Sequence, residues 1–376
     1  MKKFVIKCIC FALILGVIFV PFSVFVDPFN IFHINHPRNN GLEPNKNYMK
    51  MHNVLNHPDK YDSFLFGSSR VGFIDVTKMN DGKYYDMMYS EGTPAEHLDN
   101  LKVMTERGII PKNVIIGVDD ITYFVDPALH VGQLYRLPYP WDGTLSDKAV
   151  FYLRYFDLIT LSQSLEAMKK SKKKGADPDY NMRLLDTGTE NLDIPPQFDY
   201  EDAKPWWSDY YYPREQSLED IRQIKELCDE YGIELRVFTN PLHAMTYAKG
   251  IDNGYLVFLK ELAEITPYWN FSGFNDVTLD YSYYYETSHY CPAVGDMIID
   301  NIYYDKHDDR LLAQGFGTYV TSDNVDELIG LLKEQAVNYD LPVETYKDTV
   351  NRRPGDEETE ETEETEETGS ETERGQ

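Results

Sequence analysis

Short apolar runs alternate with stretches of helical periodicity through the middle of the chain, and this alternation constrains the fold more than any other feature. Leu98, Leu101 and Met104, for example, recur at the spacing of one face of a helix. Strands that alternate with helices are typical of parallel sheets covered on both faces. The sequence therefore predicts an α/β fold with a three-layer α/β/α arrangement and a mostly parallel, flavodoxin-like sheet. The sheet should have five strands, at residues 62–66, 84–89, 113–118, 233–238 and 268–271.

Sheets of this kind bind ligands at the carboxyl ends of their strands. Ser69 follows the first predicted strand in a Gly-Ser-Ser turn, Gly92 follows the second strand, and Asp119 follows the third. Asn240 and His243 follow the fourth. We therefore expect these residues to lie along one edge of the sheet.

A late acid-x-x-His segment supplies candidates for acid–base chemistry. A serine hydroxyl becomes a useful nucleophile only when a base takes its proton. His289 suits that role because imidazole titrates near neutrality, and Glu286 is close enough in sequence to orient the ring and stabilise its charged form. Taken alone, such a pair is frequent by chance, and a lone histidine is more often a surface or core residue. The preceding Gly-Ser-Ser turn with Ser69 is what favours a catalytic interpretation.

The order of these blocks resembles that of the SGNH/GDSL hydrolases over about residues 60–303. The resemblance implies that Ser69 is the nucleophile, His289 the base and Glu286 its orienting acid. It also implies that the backbone N–H of Gly92 helps to bind the oxyanion. Two residues depart from the family pattern. The first is Asp119, which stands where the family has an oxyanion-binding Asn; a carboxylate donates a hydrogen bond only when protonated. The second is Glu286, which replaces the usual Asp and is longer by one methylene.

Within that superfamily, the chain is most similar to membrane-anchored envelope proteins, such as the teichoic acid D-alanine-transfer protein and the alginate or peptidoglycan O-acetyltransferases. The similarity rests on the N-terminal apolar run, the Gly-Ser-Ser turn and the Ser-His-Tyr-x-Pro block. It implies a cell-envelope glycan or teichoic acid-like polymer as substrate, and a multi-pass membrane acyltransferase as a partner.

These features predict an extracytoplasmic, serine-dependent acyltransferase or esterase that acts on O-acetyl or D-alanyl groups of an envelope polysaccharide. A sugar hydroxyl or water resolves the acyl-enzyme, and the sequence does not distinguish transfer from hydrolysis. The alternative is a catalytically inactive scaffold that binds glycan or assembles an envelope polymer export complex, which the Asp119 departure favours.

The N-terminus predicts a transmembrane anchor over residues 1–26. Lys2, Lys3 and Lys7 precede and enter an apolar run that suits a helix of about 20 residues. The basic flank predicts a single-pass protein of the cell membrane with a cytoplasmic N-terminus and an extracytoplasmic main domain. A cleaved signal peptide is the alternative, although no small-x-small cleavage site follows the run.

The rest of the chain divides by composition. Residues 27–60 predict a polar stalk, residues 61–350 the SGNH-like domain, and residues 351–376 a disordered Glu/Thr tail. The net charge is −27, and about −10 of it comes from residues 356–376. The acidic remainder argues against nucleic acid as a partner.

Residues 123–214 interrupt the strand–helix rhythm and predict an insertion beside the sheet. The insertion contains a helix over about residues 158–170 and a cluster of five lysines between Lys169 and Lys174. The lysines either meet anionic lipid or polymer, or form the solvated end of a helix, which is the commoner case.

Three further polar residues have two interpretations each. Arg70 either holds an anionic substrate or packs the turn as a salt bridge. Asn240 and His243 either contact substrate or belong to an Asn-Pro turn without chemistry. The Asp119–Asp120 pair lacks further ligands at a recognisable spacing, so we predict no metal site and no cofactor.

Two cysteines fall in the predicted outer domain. Cys228 lies in a predicted helix, and Cys291 lies beside the histidine block. They either pair in an oxidising compartment or remain two separate buried thiols.

Overall fold

The computed structural model of the chain describes residues 2–33, 42–119, 125–170, 177, 179–196 and 212–339, except for the side chains of residues 8–15. The chain divides into two compact units. The first unit comprises residues 1–115, 126–194 and 227–234, and the second comprises residues 116–125, 195–226 and 235–376. The residues of the domain that we predicted over 61–350 are divided between these two units.

Six strands of the described residues form one mostly parallel sheet in the order β2-β1-β3-β4-β5-β6. β1 pairs with β2 and β4 with β5 in parallel, whereas β6 runs antiparallel to β5. The mixed α/β class and the mostly parallel sheet are therefore confirmed, and the first five strands have the flavodoxin-like order. The strands are β1 Ser63–Gly67, β2 Tyr84–Asp86, β3 Asn113–Val118, β4 Glu234–Thr239, β5 Tyr268–Asn270 and β6 Thr318–Val320.

The prediction of five strands was wrong by one, because it lacked β6. This strand has three residues, too few to show an alternation of apolar and polar side chains. It finds its place through pairing with β5, in which Trp269 lies opposite Tyr319. The three-layer arrangement of the helices stays a prediction.

The first unit contains β1, β2 and the start of β3, and the residues of β1 and β3 are all buried. Short, continuously apolar strands of this kind are typical of parallel sheets buried on both faces. After β2, helix α3 (Pro94–Glu106) begins with Pro at its first turn and packs Leu98, Leu101 and Met104 inward. The helical spacing of these three residues was predicted from the sequence.

The segment that we predicted as a polar stalk contains a helix, α2 (Lys46–Asn56), that packs inside the first unit. Tyr48, Met49, Met51 and Val54 are buried along it. Asn45 begins the helix by accepting a hydrogen bond from the N–H of Tyr48. Where it is described, this segment is therefore part of the packed unit.

Helix α1 (Lys2–Val26) covers the run that we predicted to cross a membrane. Among the described residues, however, none of the helices combines the length and the apolar character that a membrane crossing requires. The chain leaves α1 through Asp27, whose carboxylate accepts hydrogen bonds from the N–H groups of Ile31, Phe32 and His33. The segment after α1 therefore has a defined turn.

The predicted insertion adds helices to the first unit. They are α4 (Leu145–Leu153), α5 (Leu158–Lys170) and α6 (Tyr180–Asp186), preceded by a 3-10 helix at Pro127–Gly132. The helix predicted over residues 158–170 corresponds to α5. Phe151 and Tyr155 at the end of α4 are buried in an aromatic cluster with Tyr48 and Phe29.

The second unit places further helices around β4 and β5. The predicted tail, residues 351–376, lies outside the described residues. The helices are α7 Arg214–Tyr231, which spans the boundary between the units, α8 Ala244–Asp252, α9 Tyr255–Ala263, α10 Pro292–Tyr304, α11 Asp309–Ala313 and α12 Val325–Asn338.

Candidate active site

The predicted nucleophile begins a short 3-10 helix directly after β1. Ser68 caps this helix, which covers Ser69–Phe73, by accepting a hydrogen bond from the N–H of Arg70 over 3.4 Å. Ser68 thus has a structural role, and the assignment of Ser69 as the nucleophile stays a prediction. The side chain of Arg70 is fully buried and does not lie on an exposed surface.

Gly92 lies against the backbone of β1. A Cβ atom at this position would lie 2.6 Å from the carbonyl oxygen of Gly67 and 2.9 Å from Cε1 of His97, so only glycine fits here without a shift. Its N–H, which the family resemblance implies as an oxyanion donor, donates to the carbonyl of Tyr89 over 3.0 Å. To bind an oxyanion, this N–H would have to share or release its hydrogen bond to the carbonyl of Tyr89.

Charged side chains hold the turn that carries Gly92. Glu91 has a left-handed backbone with φ of 57°, which is costly for a residue with a side chain. The Glu91 carboxylate is held by the guanidinium of Arg136 and lies 3.5 Å from Nε2 of His130. Burial disfavours the charged ring, but the contacts with Glu91 and Glu96 prevail and raise the pKa of His130 to about 9. His130 is therefore an imidazolium at neutral pH, between two carboxylates.

Glu96 connects this turn to the start of α3. Its Oε1 lies 2.8 Å from Nδ1 of His130, and its Oε2 accepts hydrogen bonds from the hydroxyls of Tyr89 (2.7 Å) and Thr93 (2.9 Å). Glu91, Glu96 and His130 were not predicted from the sequence. The Thr-x-x-Glu pattern at the start of α3 is a capping-box signal, and it is the sequence feature that points to a structural role of Glu96.

In the second unit, a tight hairpin carries the acid and the base. The N–H of Tyr285 donates to the carbonyl of His289 over 2.9 Å, and Tyr284 and Tyr290 form an antiparallel bridge outside it. The carboxylate of Glu286 accepts the N–H of Ser288 over 2.7 Å and is hydrogen bonded through Oε1 to Nδ1 of His289. With Nδ1 bound to a carboxylate, the neutral ring carries its lone pair on Nε2.

The His289–Glu286 pair is reachable from solvent. The side chain of His289 is 29% exposed and that of Glu286 is 50% exposed. The arrangement thus provides an oriented imidazole whose Nε2 can accept a proton, which is the requirement for a general base.

Asp119 and Asn240 are neighbours at the ends of β3 and β4. The Asn240 N–H donates to the carbonyl of Val118 over 2.8 Å, and its side-chain Nδ2 donates to Oδ2 of Asp119 over 3.0 Å. The Oδ1 of Asn240 accepts the hydroxyl of Tyr290 over 2.9 Å. Both polar atoms of the Asn240 amide are engaged, and both Asp119 and Asn240 are fully buried. The Asp119 carboxylate is therefore an acceptor within the protein.

His243 lies next to the histidine-bearing hairpin. It caps α8 by accepting the N–H of Met245 over 3.3 Å, and its ring packs edge-on against Tyr284 at 5.2 Å. Burial lowers the pKa of His243 to about 4, although the negative charge of Glu286 partly opposes the shift. His243 is therefore neutral near pH 7 and acts in packing and capping.

The structure brings Glu286 together with His289, and Asp119 together with Asn240. These residues and His243 belong to the second unit, whereas Ser69, Arg70 and Gly92 belong to the first. The sequence did not point to Tyr284 or to the hydroxyl of Tyr290 as supports of the hairpin, because both act through partners about 40 or more residues away.

Neither metal nor disulfide chemistry is indicated in the described part of the chain. No group of three or more His, Cys, Asp or Glu side chains there is placed to hold a metal ion. Cys228 and Cys291, for which the sequence left pairing open, are both buried and are not joined by a disulfide.

Comparison with known proteins gives no match: no protein-family model, no curated protein and no solved structure is similar to this chain.

Proposed function

We propose that this protein is an extracytoplasmic, SGNH-like acyltransferase or esterase that acts on O-acetyl or D-alanyl groups of a cell-envelope polysaccharide. The observation that carries the proposal is the hydrogen bond between Glu286 and Nδ1 of His289, which leaves Nε2 as a base in a partly exposed position. In this proposal, α1 attaches the protein to the outer face of the cell membrane, and a multi-pass acyltransferase supplies the acyl group.

In the proposed reaction, Oγ of Ser69 attacks the acyl carbonyl carbon while Nε2 of His289 takes the hydroxyl proton. Glu286 holds the resulting imidazolium in place. Collapse of the tetrahedral intermediate breaks the bond to the donor oxygen, which takes the proton from His289 and leaves as an alcohol. The acyl-enzyme on Ser69 is then attacked by a sugar hydroxyl or by water, with His289 again removing the proton.

Stabilisation of the oxyanion is the weakest part of this site. Asp119 accepts a hydrogen bond and does not supply the donor that its position implies. The remaining donors are the backbone N–H groups of Ser69 and Gly92, and that of Gly92 is engaged by Tyr89. Loss of one such donor typically costs a factor of about 10²–10³ in rate, so we expect a slow enzyme.

The test is hydrolysis of a chromogenic acetyl ester by the full-length protein in detergent, compared with Ser69→Ala. The matched control is Ser68→Ala, which removes the neighbouring hydroxyl. We expect Ser69→Ala to lose activity by a factor of at least about 10³, because the residual rate then depends on binding alone. Retained activity in Ser69→Ala, or equal loss in the two variants, would refute the assignment of the nucleophile.

A second function, a catalytically inactive glycan-binding or assembly scaffold, is favoured by one observation. The acceptor role of Asp119 and the engaged N–H of Gly92 leave few donors for a developing negative oxygen. A wild-type protein that cleaves no ester but still binds envelope glycan, equally well with and without Ser69→Ala, would support this function.

A further inference from the structure

We propose that the outer faces of α4 and α5 lie on an anionic phospholipid bilayer. This interaction surface, which we call the α4–α5 face, is formed by the exposed apolar side chains of the two helices and the lysines at the end of α5. It is separate from the proposed chemistry, and its test uses no measurement of activity.

Helix α5 buries small residues and exposes large apolar ones, the reverse of the usual arrangement in a surface helix. Its buried residues are the small Thr160, Ser164 and Ala167, which recur at spacings of four and three. Its exposed residues include Leu158, which is 81% exposed, and Ile159, which is 59% exposed. A surface helix in water normally presents its polar residues outward, so the environment that this helix is suited to is apolar.

The exposed apolar surface continues along both helices. Leu145 is 88% exposed and Leu153 is 64% exposed on α4, while Leu165 and Met168 are exposed on α5. Single exposed apolar residues are common, but several on two consecutive helices indicate a protein or membrane interaction. The exposed members are Leu145, Val150, Leu153, Leu158, Ile159, Leu165 and Met168.

This face adjoins the N-terminal helix. Helix α5 packs against α1, whose residues Val17 and Ile18 are themselves largely exposed. Phe32, just after α1, stacks on Phe156 with ring centroids 5.5 Å apart, which ties the end of α1 to the α4–α5 connection. The apolar surfaces of the three helices are thus parts of one unit, as expected if all three meet the same lipid phase.

The lysines at the end of α5 favour an anionic lipid surface as the partner of this face. Lys169 and Lys170 end α5 directly beside Met168, and Lys170 also forms an ion pair with Glu166 at 2.8 Å. Lysines at the edge of an apolar helix face are typical of interfacial helices, and each contributes about 1 kcal/mol of attraction to an anionic leaflet.

Spin labels report the depth of single positions directly. The full-length protein, with Cys8→Ser and Cys10→Ser, is labelled at Leu158→Cys or Leu165→Cys and placed in vesicles of phosphatidylcholine with or without phosphatidylglycerol. Cys228 and Cys291 are buried and stay unlabelled. The matched control label is Lys102→Cys, an exposed position on α3. Accessibility to oxygen is compared with accessibility to a water-soluble nickel complex.

We expect the labels at 158 and 165 to be accessible to oxygen and protected from nickel, and the label at 102 to be accessible to nickel. Addition of phosphatidylglycerol should shift the docking equilibrium about tenfold towards lipid, and Lys169→Glu with Lys170→Glu should abolish that shift. Nickel accessibility at 158 and 165 equal to that at 102 would overturn the proposal. Protection without lipid that grows with protein concentration would also overturn it, in favour of self-association.

Discussion

The hydroxyl of Tyr290 donates a hydrogen bond to Oδ1 of Asn240 over 2.9 Å, and so ties the residue after His289 to the carboxyl end of β4. Because the other polar atom of the Asn240 amide donates to Asp119, the direction of this amide is set from both sides. The hairpin that carries the imidazole thus has its register fixed by the sheet, and catalytic groups need such support to stay in a productive geometry.

Tyr290→Phe should therefore destabilise the second unit. The change removes the hydroxyl and leaves Oδ1 of the buried Asn240 without its donor, which costs about 1–3 kcal/mol. Urea unfolding followed by circular dichroism measures the effect. Tyr319→Phe removes the same atom from a side chain that is 48% exposed and should change stability by less than about 0.5 kcal/mol. Equal effects of the two changes would contradict the role of this hydrogen bond.

Glu286→Gln should impair turnover far more than folding. An amide in place of the carboxylate no longer stabilises the imidazolium and can favour the wrong tautomer of His289. In a Ser-His-Asp triad, the corresponding acid-to-amide substitution lowers kcat by a factor of up to about 10⁴. Glu286→Asp keeps the charge and should retain more activity. Steady-state ester hydrolysis provides the measurement, and Glu264→Gln, at an exposed site, removes the same charge as a control. Unchanged kcat in Glu286→Gln would remove Glu286 from the mechanism.

Gly92→Ala should strain the contact between the Gly92 turn and β1. The added Cβ would lie 2.6 Å from the carbonyl oxygen of Gly67, and relief of such overpacking typically costs about 1–3 kcal/mol. Gly132→Ala is the matched control, because no atom lies within 4 Å of a Cβ there and its backbone is not left-handed. Thermal unfolding of both variants distinguishes a steric effect from a general effect of removing glycine. A Tm of Gly92→Ala as high as that of Gly132→Ala would exclude the close approach.

The buried imidazolium of His130 should make stability depend on pH on the alkaline side. Its pKa is raised to about 9 in the folded protein, above the value near 6.5 expected on unfolding. The stabilisation is therefore complete below pH 6.5 and is lost as pH rises towards 9, by up to about 1.4 kcal/mol per pH unit. The charged groups that face the ring are Glu91, Glu96 and Arg136.

Urea unfolding at a series of pH values checks this expectation. The wild type should lose stability between pH 6.5 and 9, and His130→Gln should lose correspondingly less over the same interval because it has no proton to release. Parallel pH profiles of the two proteins would show that His130 is not an imidazolium in the folded state.

Much of the sheet could be predicted from the sequence because its signals are local. The run at residues 113–118 is continuously apolar, and the structure has β3 there. The contact of Glu286 with His289 is also local, since three residues separate them in a tight hairpin. By contrast, the packing of α2 inside the first unit was not predicted, because its polar residues, such as Asn45 and Asn47, are satisfied by partners from distant parts of the chain.

The sequence by itself determined the alternation of strands and helices, the mostly parallel sheet and the pairing of Glu286 with His289. These depend on side-chain periodicity and on neighbours within a few residues. Only the tertiary structure decided that Asp119 accepts from Asn240, that Tyr290 supports the hairpin, and that Glu91 and Glu96 enclose His130. These contacts join segments tens to more than a hundred residues apart, and a local pattern contains no information on which polar group burial will bring to another.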